Sequence, residues 1–281
     1  MTKIAIMTDS TANLPVEWGK QYNILVIPLK IHWGNETLLG GVDITPNEFY
    51  TRLSHSNSLP TISQPSIQEF LQAFERLAEG ADGIVVPLIS SGINGTVASA
   101  QAAARQLNRV PVEIVDTRVT SAGQAMVVLA AARAAAQGKS LQEVCQVADE
   151  IVQRMHVFFA VDTLEYLHRG GRIGGASRYL GTMLNIKPIL YFDEDGKLDA
   201  LEHARTKGKA LQRLVALAEE KANGKLLNLG IIHANAPQIA QDFREQITRH
   251  LQCKEVFTLD ISPVIGVHVG PGTIGIALYA K

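Results

Sequence analysis

The chain has 281 residues, a length that suggests two domains, and 46% of them are apolar. Its 26 Lys and Arg nearly balance its 27 Asp and Glu, and the net charge of −1 excludes bulk attraction to nucleic acid or to an anionic membrane surface. Two cysteines, Cys145 and Cys253, are too few for a disulfide framework or a cysteine-based metal site and fit a reducing cytoplasm.

The first half of the sequence alternates short apolar runs with helical patterns. The first run, Ile4–Met7, leads into an acidic residue without the long apolar core of a signal peptide, and no later stretch is long and uncharged enough to span a membrane. We therefore expect a cytoplasmic protein. Further strands are predicted at 24–33, 83–89 and 112–115, a turn or insertion at 34–41, and helices at 15–22, 45–55, 67–77, 97–107, 119–136 and 141–151.

This alternation of strand and helix predicts a doubly wound α/β domain with a parallel sheet. The run 83–89 is apolar throughout, as strands are when helices cover both faces of the sheet. Helix 119–136 is apolar nearly all round, which predicts that it is buried. Ligands in such sheets bind beyond the carboxyl ends of the strands. Polar residues that follow the first and third strands directly are therefore expected to share one edge, namely Asp9, Ser10, Ser90 and Ser91.

After about residue 154 the pattern changes to a mixture of strands, helices and glycine-rich turns. A hairpin is predicted at 188–204, turning at Asp193–Gly196. Other strands are predicted at 158–161, 226–232, 256–261 and 273–279, with helices at 207–221 and 239–251. We predict an N-terminal Rossmann-like α/β domain over residues 1–155 and a C-terminal mixed α+β domain over 156–281.

Two loops concentrate short polar side chains just ahead of predicted helices. They are Pro60–Ser66 and Ser90–Thr96. Backbone N–H groups at a helix start are unpaired, and Ser, Thr and Asn side chains add further donors there. Two converging loops of this kind would bind a carboxylate or a phosphate, whereas the alternative for either loop alone is an ordinary helix cap.

A third candidate segment is Val267–Thr273, which contains Gly270-Pro271-Gly272. These residues let the backbone turn sharply and approach a ligand, with His268 at the rim as a donor to an anion. The alternative is a capped turn with a surface histidine. Histidines in this sequence do not occur with Cys, Asp or Glu at metal-ligand spacing, so no metal is predicted.

The residue types also allow a small-molecule hydrolase. Ser91 or Ser90 would be the nucleophile, His268 the base and Asp9 the orienting acid, although the G-x-S-x-G motif is missing. Asp9 is otherwise a metal or phosphoryl site or, more commonly, a cap for the following turn. Arginines around Gly170-Gly171 suit a phosphate in a ligand or on a partner, or form a solvated basic edge. A phosphate-binding enzyme is therefore a further alternative.

Several motifs occur together, in one order, across almost the whole chain. They are Thr8-Asp9-Ser10-Thr11, Ser63-Gln64-Pro65-Ser66, Ser90-Ser91-Gly92 with Gly95-Thr96, Leu164–Leu167 before Gly170–Ile173, Leu184-Asn185-Ile186-Lys187-Pro188, and His268 before Gly270–Thr273. This combination resembles the DegV family. Each motif is weak alone, and the set is highly specific.

The resemblance implies a two-domain protein that holds one long-chain, palmitate-like fatty acid in a tunnel between its domains, with no other cofactor. It implies a monomeric, non-catalytic acyl carrier of a two-component fatty acid kinase. A separate ATP-dependent kinase subunit would phosphorylate the carboxylate that this protein presents, and the acyl phosphate would serve phospholipid synthesis.

The resemblance also implies roles for individual residues. Carboxylate binding falls on Thr61, Ile62, Ser63, Ser91, Asn94 and His268. Supporting positions are Asp9, Ser10, Ser90 and Gly270, and the contact with the kinase subunit falls on Arg169, Arg172 and Arg205. Family members usually carry Thr at the position of Ile62 and Ser at that of Asn94. Here Ile62 offers only its backbone N–H, and Asn94 offers a side-chain NH₂ with a longer reach.

Overall fold

The computed structural model describes residues 2–56, 58–181 and 186–280. The strands are β1 Ile4–Asp9, β2 Leu25–Ile27, β3 Lys30–Trp33, β4 Glu36–Leu39, β5 Thr61–Ser63, β6 Gly83–Leu88, β7 Val112–Asp116, β8 His156–Ala160, β9 Lys187–Phe192, β10 Leu198–Ala204, β11 Leu227–His233, β12 Cys253–Asp260 and β13 Ile274–Ala280. The helices are α1 Val16–Tyr22, α2 Pro46–Ser54, α3 Ile67–Ala78, α4 Thr96–Ala104, α5 Ser121–Ala136, α6 Leu141–Arg154, α7 Glu165–Arg169, α8 Lys207–Ala222, α9 Pro237–His250 and α10 Pro263–Val269. Leu184 and Asn185 of the predicted motif lie outside the described residues.

A parallel sheet forms the centre of the N-terminal half, as predicted. Its strand order is β2-β1-β6-β7, and apolar side chains from α3 and α4 cover one face while those from α5 and α6 cover the other. Every residue of β6 is buried because both faces are covered. Helix α5 is buried along most of its length, which confirms the prediction from its apolar sequence.

The predicted strand at 24–33 is wrong as a single element. It divides at Pro28, which has no N–H to donate to a strand ladder. Strand β2 pairs parallel with β1, whereas β3 belongs to a separate antiparallel sheet of order β4-β3-β5. This small sheet also contains β4, inside the segment predicted as a turn, and β5, inside the first polar loop.

The C-terminal half is built on a six-stranded mixed sheet of order β10-β9-β8-β13-β11-β12. The predicted hairpin is confirmed, since β9 and β10 pair antiparallel on either side of the turn at 193–197. Helices α8 and α9 pack on one face of this sheet. The opposite face packs towards α5 and α10. An N-terminal parallel sheet and a C-terminal mixed sheet are therefore both present, while the domain boundary at residue 155 stays a prediction.

Helix α10 is an element that the sequence analysis missed. Pro263 occupies its first turn, where a missing N–H costs nothing, and Gly270 ends it with a φ of +71°. His268 therefore lies in the last helical turn and not in an open loop. Within the part of the chain that the structure describes, no helix is both long and apolar enough to cross a bilayer.

Candidate functional site

A narrow cavity lies between the six-stranded sheet and helices α5 and α10. Its volume is about 50 Å³ and its surface is apolar, with walls formed by Val157, Phe159 and Ile232 of the sheet and Ile265 of α10. A cavity holds one water molecule when about 10–15 Å³ is open to a probe of that size, so this cavity has room for only a few groups of the size of water. Any larger ligand requires the side chains of the wall to move apart.

One end of the cavity opens towards a surface groove of about 390 Å³. Ile93, Arg172 and Leu198 line both the cavity and the groove, so they mark the mouth between the two. Arg172 donates from Nε to the Ile93 carbonyl at 3.4 Å and from a terminal nitrogen to the Gly170 carbonyl at 2.9 Å. Its guanidinium thus connects the second polar loop with the loop after α7.

His268 lies at this mouth as a neutral imidazole. Burial, with a smaller contribution from the positive charge of Arg172, lowers its pKa to about 4. Its Nδ1 atom is buried and makes no hydrogen bond to the described residues. A side chain at Gly170 would collide with that nitrogen, so glycine is required beside the ring. At neutral pH His268 can donate or accept a hydrogen bond but does not act as a cation.

We expect the imidazole of His268 to show no titration between about pH 5 and pH 8 in an NMR experiment. Because the folded-state pKa lies below the unfolded value of about 6.5, stability is lost as the pH falls from about 6.5 to about 4, by about 3 kcal/mol from this group. The His268→Gln variant should lack this part of the pH dependence of the unfolding free energy. An unchanged profile in that variant would contradict the depressed pKa.

The first polar loop turns its side chains to two different faces. Thr61 and Ser63 share one face of β5, and Ser63 Oγ lies 2.8 Å from Nε2 of His32. Ile62 points to the other face, where it packs on the apolar cluster that includes the cavity walls. Backbone pairing with β3 holds this segment in place. Carboxylate contacts from these three residues stay a prediction.

The second polar loop is held by its own side chains. Ser90 is buried and donates to the Gly196 carbonyl at 2.7 Å. Ser91 is exposed, and its hydroxyl donates to Asp116 at 2.5 Å. Asn94 accepts from the backbone N–H and the hydroxyl of Thr96 at 3.0 and 2.7 Å, so its amide oxygen is occupied and its NH₂ is the group it can offer a ligand. The two polar loops do meet, because a Cβ on Gly95 would lie 2.8 Å from the side chain of Gln64.

Asp9 has structural contacts and no hydrogen bond to His268 or Ser91. Its fully buried carboxylate accepts from Thr11, from the Ile89 N–H at 2.9 Å and from Gln124 at 3.0 Å. Burial raises the pKa of Asp9, and these hydrogen bonds oppose that shift. The hydrolase alternative required Ser91 or Ser90 to act with His268 and Asp9, whereas Ser91 donates to Asp116 and Ser90 to the Gly196 carbonyl.

The remaining predicted residues, Ser10, Gly270, Arg169 and Arg205, line neither the cavity nor the groove. Ser10 accepts from the Leu29 N–H at 3.0 Å. Gly270 packs against the ring of Tyr166, where a Cβ would collide. Arg169 is exposed and lies 3.4 Å from Glu165 on α7, and Arg205 is exposed between β10 and α8. Within residues 2–56, 58–181 and 186–280, no group of three or more His, Cys, Asp or Glu is placed to hold a metal.

Sequence reasoning missed part of the cavity wall at the start of α5. Thr120 and Ser121 line the cavity, and Ser121 has a φ of +54° that non-glycine residues rarely adopt. Asn13, which also has a positive φ of +52°, donates to Ser121 Oγ at 2.9 Å. The available signal was this polar pair near the start of a predicted helix, 119–136, that is otherwise apolar nearly all round.

Comparison with known proteins identifies the family of this chain. The model of the DegV family, described as uncharacterised proteins, matches residues 3–281. This chain belongs to the DegV family. A DegV domain-containing protein of Halalkalibacterium halodurans is 38% identical over 100% of both chains. Among solved structures, a DegV family protein of Thermus thermophilus described by its fatty acid binding has a TM-score of 0.95 at 32% identity, covering 100% of both chains. DegV of Bacillus subtilis, described as a fatty acid binding protein, has a TM-score of 0.93 at 33% identity, also over 100% of both chains.

Proposed function

We propose that this DegV family protein binds one long-chain fatty acid, with the acyl chain in the cavity and the carboxylate at the mouth. The observation that carries the proposal is an apolar cavity whose mouth holds a buried neutral His268 and the guanidinium of Arg172. An apolar wall with a few polar groups at one end suits an amphipathic ligand. Fatty acid binding by the relatives of Thermus thermophilus and Bacillus subtilis supports it.

Most of the affinity would come from the acyl chain. Burying ~14 methylene groups at ~0.8 kcal/mol each gives on the order of 11 kcal/mol before the costs of binding are subtracted. One cost is the opening of the cavity, which is about 50 Å³ in volume. A carboxylate at the mouth then needs only enough hydrogen bonds to offset its desolvation.

The groups that would bind the carboxylate differ in chemistry. Arg172 offers a charged, bidentate donor, and His268 offers a neutral N–H. The second polar loop adds the side-chain NH₂ of Asn94. The hydroxyls of Ser63 and Ser91 belong to the proposed site only if their contacts with His32 and Asp116 open on binding. Thr61 and the backbone N–H of Ile62 belong to β5, which is paired with β3.

We further propose that the protein is a non-catalytic carrier that presents the carboxylate to an ATP-dependent kinase subunit. Four glycines, Gly92, Gly171, Gly174 and Gly175, leave part of the groove at the mouth free of side chains, and Arg172 and Lys197 line it beside them, together with Asp193 and Asp199. Arg172 lines the groove, and its exposed guanidinium suits a phosphate group of a nucleotide or an acidic partner surface. Arg169 and Arg205 are also exposed, and we propose them as further contacts with the kinase subunit.

Lipid binding is tested by native mass spectrometry of protein purified from a heterologous host. We expect an added mass equal to one fatty acid. Palmitate added to delipidated protein should raise the melting temperature, because a ligand that binds only the folded state stabilises it by about 2.7 kcal/mol at 100 times its Kd. Hexadecane serves as the control that lacks the carboxylate. Apo protein with no thermal response to palmitate or oleate would contradict the proposal.

The carrier role predicts a separation between binding and phosphoryl transfer. We expect Arg172→Ala to retain bound palmitate, since the tail supplies most of the affinity, and to lose acyl phosphate formation with the kinase subunit by at least tenfold. Arg76→Ala is the matched control, because Arg76 lies on α3 near the amino end of β1, away from the mouth. Equal acyl phosphate formation by both variants would rule out the role of Arg172.

A further inference from the structure

Gly275 lies beneath the cavity, between two of its walls. On β13 it pairs with Phe159 of β8 on one side and with Ile232 of β11 on the other, and both of these side chains line the cavity. Neighbouring strands are about 4.8 Å apart, so this row of the sheet has a gap one side chain wide at Gly275.

Phe159 and Ile232 lean into the gap. A Cβ placed on Gly275 would lie 2.5 Å from Cβ of Phe159, 2.8 Å from the Phe158 carbonyl oxygen and 3.0 Å from Cδ1 of Ile232, whereas carbon atoms in contact are normally about 3.5–4.0 Å apart. The ring of Phe159 also packs on Phe192, with 6.3 Å between centroids. The cavity is narrow at this point because these side chains occupy the space above a residue that has none.

We propose that Phe159 and Ile232 form a gate above Gly275 and that an unbranched acyl chain lies on the backbone of Gly275 once they turn aside. The proposal rests on the proposed function. It specifies that the acyl chain crosses β13 and that Phe159 and Ile232 limit the width of the cavity there. Glycine allows this close approach of a ligand to the backbone. Rotation about χ2 moves Cδ1 of Ile232 and rotation about χ1 moves the ring of Phe159, while Cβ of Phe159 keeps its place on the backbone.

The path of the chain is tested on the wild-type protein by photolabelling. A set of palmitate analogues carrying a diazirine at different carbons is cross-linked, and the labelled residues are mapped by mass spectrometry. We expect at least one analogue to label Phe159, Ile232 or Gly275, and excess palmitate to prevent it. Labelling confined to other segments would overturn the gate alone. Labelling that palmitate does not prevent at any position would contradict fatty acid binding itself.

The gate is tested by a pair of identical substitutions on one strand. Ile232 and Ile231 are both buried, but Ile231 faces the core under α8 and α9. We expect Ile232→Val to increase the association rate of a fluorescent fatty acid at least threefold, because less side chain must move. Ile231→Val should leave this rate unchanged. Equal rates in the two variants would overturn the gate.

A second pair of substitutions tests whether the acyl chain lies on the backbone of Gly275. Gly275→Ala should weaken palmitate binding at least tenfold, because its methyl group occupies the path of the chain. Gly230→Ala is the control, since its Cβ would be equally crowded, 2.8 Å from Cβ of Ala122, but would not lie beside the two gate residues as that of Gly275 would. Urea unfolding of both variants separates a loss of folding from a loss of binding. Equal weakening in two folded variants would contradict the proposed path.

Discussion

Replacement of Asp9 by alanine should lower the free energy of unfolding by about 3–5 kcal/mol in urea denaturation. Its carboxylate accepts hydrogen bonds from Thr11, Ile89 and Gln124 in a fully buried setting. Each buried donor left without a partner costs about 1–3 kcal/mol. Ile89 leads into the second polar loop, so we also expect weaker fatty acid binding by Asp9→Ala.

Asp116 offers a matched control for this prediction. It is also an aspartate at the end of a strand of the same sheet, and it accepts from Ser91 and from the Arg118 N–H at 3.0 Å. Ser91 is exposed, so water replaces the lost acceptor, and we expect Asp116→Ala to cost less than about 1 kcal/mol. Equal losses in the two variants would show that burial of Asp9 is not the cause.

Replacement of Gly196 by alanine should have the second large effect. Gly196 has a φ of +71°, and a Cβ there would collide with Ser90 Oγ and lie 3.0 Å from Cα of Arg118. The left-handed backbone costs an alanine about 1–2 kcal/mol, and crowding adds about 1–3 kcal/mol. We expect a total loss of about 3–4 kcal/mol in the free energy of unfolding.

Gly196→Ala should also weaken palmitate binding about tenfold, which corresponds to a loss of about 1.4 kcal/mol in binding free energy. The hairpin that turns at Gly196 carries Phe192 and Leu198, which line the cavity. Gly224→Ala is the control, because Gly224 has a φ of +73° with no atom near its would-be Cβ. Gly224→Ala should lower the free energy of unfolding only by the cost of the left-handed backbone, about 1–2 kcal/mol, and should leave the affinity for palmitate unchanged. A similar loss of affinity in both variants would contradict the role of the Gly196 contact.

The fold was predictable wherever one local pattern dominates. The apolar run of β6 and the apolar helix α5 predict a sheet that is covered on both faces. The alternation of strands and helices around them predicts that the strands of this sheet are parallel. The strand predicted at 24–33 failed because two apolar strands from different sheets follow one another with only Pro28 and Leu29 between them. Hydrophobic pattern marks burial, but it does not say against which sheet a strand pairs.

The candidate site, like the fold, was predictable only in part. Sequence pattern brought attention to the second polar loop, to Arg172 and to His268, and the structure places Ile93 of that loop, Arg172 and His268 on the cavity. The sequence pattern did not indicate that Ser91 would donate a hydrogen bond to Asp116 or that Ser63 would contact His32. Those partners are 25 and 31 residues away in sequence, so only the folded chain brings them together.

By itself the sequence determined the α/β class, the family and the segments that carry the polar residues, because each depends on local composition and on motif order. Only the tertiary structure decided which of those residues reach the cavity. It buried His268 and thereby lowered the pKa of that imidazole, and it placed Gly275 between Phe159 and Ile232. These properties arise from the packing of distant segments, and packing is set by the whole chain rather than by any one stretch of it.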